Sequence, residues 1–156
     1  MSLDADIPAR VSTGATVKLA RVRRGSLAVL VLIVVEYAIG MYVNLYVAVP
    51  RADHAHGVGS AIANGPGTLS IHAVIGFLLG LGAVAVLVQA IMARHLPAIA
   101  FSAAGLFVLA VASAMGASFT SSGRPADSMG MSVLTGAGLL CYAANLYLLP
   151  GPRGWR

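Results

Sequence analysis

The sequence predicts an all-α protein, an integral membrane four-helix bundle with both termini in the cytoplasm. Three observations carry that reading. Of 156 residues, 58% are hydrophobic and only 10% charged, whereas a soluble domain carries roughly a quarter of its residues as Asp, Glu, Lys and Arg. The apolar residues fall into four runs, each long enough for a spanning helix of about 20 residues. The runs do not alternate polar and apolar residues over about ten positions, as the strands of a membrane barrel do. In lipid only helices and closed barrels satisfy every backbone N–H and C=O internally, so helices follow.

Residues 1–24 form a polar segment that ends in the basic cluster Lys18, Arg21, Arg23 and Arg24. It reads as a cytoplasmic segment, flexible or lying on the membrane surface. The transmembrane domain spans 25–150, with helices expected at 26–49, 69–92, 98–119 and 128–149. The first run exceeds the apolar core of a cleaved signal peptide and reads as a permanent anchor. Arg51 to Thr68 is the one loop of substance, holding Asp53, His54, His56, Asn64 and a Gly-Pro-Gly turn. Pro97 suits a helix start, Pro125 and Asp127 introduce the fourth run, and Pro150 stops it before the tail 151–156. Short connections after the second and third runs make those helices antiparallel neighbours.

Orientation follows from the Lys and Arg near the helix ends. With the N-terminus inside, Arg10, Lys18, Arg21, Arg23, Arg24, Arg94, Arg153 and Arg156 are cytoplasmic, and only Arg51 and Arg124 lie outside. The net charge of +5 sits at the ends of apolar runs rather than on a folded basic surface, which argues against nucleic acid. The cell membrane, and so the lipid bilayer, is the expected partner. Another membrane subunit or a second copy of the chain is a further reading.

Helices associate in lipid through small residues and side-chain hydrogen bonds, so such residues at helical spacing mark the bundle interior. The first helix carries Glu36, Gly40 and Asn44, and the second His72, Gly76 and Gly80. The third carries Ser102, Gly105, Ala112 and Gly116, and the fourth Met131, Thr135, Gly138, Tyr142 and Asn145. At a rise of 1.5 Å per residue His72 falls roughly 5 Å below the outer end of its helix, level with Asn44, Met115 and Met131. Glu36 falls near the middle, closer to Tyr142. The two levels are expected to be separate sites.

Glu36 is the residue a membrane tolerates least, because an ionised carboxylate at mid-bilayer costs at least about 2.5 kcal/mol. It reads either as a proton-relay or cation-binding group or as a neutral acid bonded to Tyr142 or a backbone carbonyl. His72 reads either as a hydrogen-bonding packing residue or as a cofactor ligand. In the second reading Gly76 and Gly80 leave a flat gap for a porphyrin, and Met131, Met115 or Met129 lies at a suitable depth, since haem iron takes His alone or His with Met. In the outer loop His54 and His56 flank Ala55 beside Asp53. They form a candidate copper or zinc site, or are simply solvated. His95 reads as a cytoplasmic interface residue.

The segment Ile71-His72-Ala73-Val74-Ile75-Gly76-Phe77-Leu78-Leu79 resembles the His-bearing helices of b-type cytochromes and of the four-helix units in haem A synthases. The resemblance covers one helix, through its His-x-x-x-Gly pattern, and implies haem b with His72 as axial ligand. Those families present a second intramembrane His, and this chain does not. The whole chain, rich in Ala, Gly, Val and Arg, is similar in style to small four-helix membrane proteins of GC-rich, actinobacterial-style bacteria.

No P-loop, nucleophile elbow, HExxH or Gly-x-Gly-x-x-Gly turn occurs, and the extramembrane segments are too short for a soluble catalytic domain, so ordinary enzymology is not expected. Three functions are left open. The chain is a structural protein or subunit whose outer-layer pocket takes a redox cofactor, a haem protein exchanging electrons with quinone, or a small transporter or metal handler using Glu36 and the outer His and Met residues.

Overall fold

The computed structural model describes residues 7–47 and 57–149, and every element in them is helical. Among the described residues four helices are long and apolar enough to cross a membrane. In order they are α1 (Ile7–Tyr46), α3 (Gly67–Ala93), α4 (Leu96–Ser122) and α5 (Pro125–Leu148), with a short α2 (Gly57–Asn64) between the first two. The helices run up and down as a ring, in which α1 packs on α3, α3 on α4, α4 on α5 and α5 back on α1.

Two differences from the sequence reading concern the N-terminal half. The polar residues from Ile7 onward continue the first helix without a break, giving one helix of 40 residues. At 1.5 Å per residue that is about 60 Å, twice the hydrocarbon thickness, so its basic end stands beyond any span the rest can make. The long loop contains α2, which Ser70 holds by donating from Oγ to the Ile62 carbonyl at 2.8 Å. α2 thereby packs across the ends of α3 and α4.

The tight connections have local causes. Arg94 takes a left-handed conformation, φ 52°, to end α3. His95 caps α4, its Nδ1 accepting from the Ala98 N–H at 3.3 Å. Gly123 ends α4 at φ 64°, where a side chain is strained. Asp127 then gathers Ser118, Ser122 and Arg124 onto its carboxylate and locks the turn into α5.

The helix pairs mesh through glycines. Along α1 and α3 a β-carbon added at Gly25 would meet Val86 at 2.9 Å, and one at Gly82 would meet Val29 at 3.3 Å. Farther along the same seam Gly76 faces Glu36 at 2.9 Å and Gly40 faces His72 at 3.1 Å. Along α4 and α5, Gly105 receives Tyr142, Gly116 receives Met131, Gly130 receives Met115 and Gly138 receives Leu109. Each glycine admits one large side chain from the facing helix, the small-residue packing that holds helices together in an apolar solvent.

Candidate functional site

Glu36 and His72 meet across the α1–α3 seam, with Glu36 Oε1 2.9 Å from His72 Nδ1. This corrects the expectation of two separate sites, and the reason is geometric. α1 is helical to Tyr46 and α3 begins at Gly67, so Glu36 stands nearer the α2 end of the bundle, and His72 deeper, than the apolar runs imply. Gly76 has no side chain, and the Glu36 carboxylate occupies the space this leaves. Gly40 makes the matching room for the imidazole. Tyr142 does not bond Glu36; its ring lies on Gly105, and its hydroxyl is buried without a partner from the protein.

The pair is close but out of line for a hydrogen bond. Glu36 is 7% exposed and its Oε2 is buried without a protein partner, a costly state for an acid in an apolar bundle. His72 keeps 22% of its side chain accessible while Nδ1 is closed off, so the reachable edge of the ring carries Nε2.

Both residues line a cavity of about 500 Å³ bounded by α1, α3, α4 and α5, with Ile62 of α2 also on its wall. Most of the remaining lining is aliphatic, and nearly every other polar side chain in it is already engaged. Ser113, Thr120 and Thr135 donate to carbonyls of their own helices. Asn44 Oδ1 accepts from Ser128 Oγ at 2.9 Å, tying α1 to α5. The polar groups without a protein partner here are therefore the Nε2 edge of His72 and the Asn44 amide nitrogen, with Glu36 Oε2 closed off behind the wall. Phe77 and Leu81 on the cavity wall are 67% and 53% exposed on the outside of the bundle, so this wall reaches the bundle's outer surface on the α3 side.

Of the residues expected around a haem, His72, Gly76, Gly80 and Met131 line this cavity. Met115 is turned instead into the α4–α5 seam against Gly130, and Met129 is 71% exposed. The Glu36 carboxylate fills the gap beside Gly76 in which the macrocycle was to lie. The space beside Gly80 is open.

Among the other polar residues expected inside the bundle, Asn145 is fully buried and donates from Nδ2 to Ser102 Oγ at 2.9 Å. Its place deep in the α4–α5 seam was legible from its spacing, but the Ser102 partner was not. His54 and His56 lie outside the described residues. Among the described residues no group of three or more His, Cys, Asp and Glu could hold a metal ion. Sequence reasoning missed the Glu36–His72 contact, although the glycines four residues along each helix, Gly40 and Gly76, were its signal. The chain matches no protein-family model, no curated protein and no solved structure.

Proposed function

We propose that this chain is a multi-pass protein of the plasma membrane with both ends in the cytoplasm, whose bundle binds a lipophilic small molecule bearing one hydrogen-bonding end. The membrane reading draws support from the outer surface, where large apolar side chains such as Val31, Val88, Phe107 and Leu140 are exposed. A surface of that kind suits lipid. The asymmetry of Lys and Arg orients it.

The observation that carries the binding reading is the Glu36–His72 pair on a cavity wall whose other polar groups are mostly spent. An aliphatic site with few free polar groups selects a ligand with one polar end and an apolar body. The volume lies in the range of small-molecule pockets, about 300–1,000 Å³. The exposed rim at Phe77 and Leu81 admits such a ligand sideways from the lipid, and the acid and imidazole can each take or give a proton at its polar end.

Thermal unfolding of the detergent-purified protein tests this with three probes: a long-chain alkylquinone, its quinol, and the matching alkylbenzene without a polar end. The quinone or quinol is expected to raise the midpoint. Saturation at 100 times Kd adds about 2.7 kcal/mol. The alkylbenzene should not raise it, and Glu36→Gln or His72→Ala should weaken the shift. Equal shifts with all three probes, or none, would sink the reading.

A further inference from the structure

Asn44 stands at the edge of the cavity on α1, one turn beyond Gly40, whose missing side chain makes room for the His72 ring. The amide and the imidazole edge are therefore about one turn, roughly 5.4 Å, apart along the bundle. A single oxygen bonded to both, at about 2.8–2.9 Å each, can bridge that gap.

The two groups differ in what they can meet. An imidazole nitrogen donates or accepts according to where the ring holds its proton, so the Nε2 edge of His72 suits either kind of ligand. Asn44 has no such choice. Its Oδ1 accepts from the hydroxyl of buried Ser128 on α5 at 2.9 Å, which leaves the amide nitrogen as the free atom. An amide nitrogen only donates.

Charge narrows the ligand further. No Lys or Arg lines the cavity, and Glu36 is the one acid on its wall. An anionic end would enter without a counter-charge, and a buried charge without a partner is far costlier than a neutral polar group. The apolar body has room beside Gly80, two turns along α3 from His72, where a β-carbon would meet nothing within 4 Å.

We propose that the cavity selects a neutral lipophilic compound ending in a carbonyl, and that Asn44 makes the selection by donating from Nδ2 to the carbonyl oxygen. Ser128 is a positioning residue, which holds the amide with its nitrogen toward the ligand. Such selection rests on the lipophilic ligand proposed above and narrows its hydrogen-bonding end to an acceptor.

A long-chain alkylquinone, its quinol and a fatty acid of the same chain length, ionised at the assay pH, are titrated anaerobically against the detergent-purified full chain, with the thermal midpoint as readout. The quinone offers only acceptors, whereas the quinol oxygens accept more weakly and carry protons that Asn44 Nδ2 cannot take. The parent is expected to bind the quinone about threefold to tenfold more tightly than the quinol, the worth of one hydrogen bond. The fatty acid should bind more weakly than either. Asn44→Asp keeps an oxygen for Ser128 and nearly the same shape but puts an acceptor where the donor was, so the order should reverse and the quinol bind more tightly. Ser128→Ala frees the amide to present either atom and should bring the two affinities together.

A folded Asn44→Asp protein that keeps the parental order overturns the selection, as does a fatty acid bound as tightly as the quinone. If Asn44→Asp does not fold, a parental ratio in Ser128→Ala overturns it instead. Equal binding of quinone and quinol by the parent overturns the selection and leaves the lipophilic-ligand reading standing. No shift with either removes that reading and the selection with it.

Discussion

The α4–α5 seam and the α1–α3 seam use the same device for different ends. Both set glycines against large side chains from the facing helix. In α4–α5 the inserted groups are Tyr142, Leu109, Met115 and Met131, and the connection is a capped turn stitched by Asp127. In α1–α3 the two inserted groups nearest α2 are an acid and an imidazole, and the connection is long and carries α2. A seam closed by apolar insertion and a short turn makes a frame. A seam closed by an acid and an imidazole sets two groups that can exchange protons beside a cavity. The comparison teaches that glycine spacing locates a seam, and the residue opposite the glycine decides what the seam does.

If α4–α5 is the frame, crowding it should cost most. Gly105→Val is expected to be the most damaging single change considered. Even a lone β-carbon there would lie 2.8 Å from the Tyr142 ring, which is fully buried and cannot swing out. Overpacking of this kind costs about 1–3 kcal/mol or more. A lowered thermal midpoint in detergent, or loss of folded protein, is the readout, and a parent-like midpoint would break the comparison.

The corresponding change in the other seam should be milder. Gly40→Ala brings a β-carbon to 3.1 Å from His72 Cε1. The imidazole borders a cavity and can yield by a few tenths of an ångström, so the cost should be about 1 kcal/mol or less, at the lower edge of overpacking. Because the ring must move, this variant should lose quinone or quinol binding while keeping its fold. A drop in stability as large as that of Gly105→Val would make α1–α3 part of the frame.

The smallest stability effect is expected from Glu36→Gln. The amide keeps an acceptor and adds donors at nearly the same volume, so the midpoint should stay within about 1 kcal/mol of the parent, the scale of one hydrogen bond. Severe unfolding would show that the negative charge itself holds α1 to α3, and the seam would then be structural rather than poised for a ligand.

Much of the fold was legible because each of its signals is local. Run length and composition marked four helices, and Pro97 and Pro125 marked two starts. The stripe of Ser102, Gly105 and Ala112 on α4, and that of Gly138, Tyr142 and Asn145 on α5, are buried as their spacing predicted. The continuation of α1 back to Ile7 was not legible, since polar residues at a basic helix end look the same whether helical or not. α2 was hidden for a related reason, being a single short element of 8 residues amid loop-forming residues.

The site divides along the same line. From the sequence alone came the residue types, a lone carboxyl and a lone imidazole among apolar neighbours, each with a glycine one turn along its own helix. Helical spacing is a property of one chain segment and can be read from it. Only the tertiary structure decided that these two residues touch, that Tyr142 turns to Gly105 instead, and that Met115 is spent inside a seam. Those outcomes depend on the register between helices. A shift of one turn, about 5.4 Å, exceeds the reach of a carboxylate across a glycine, and no pattern within a single helix specifies it.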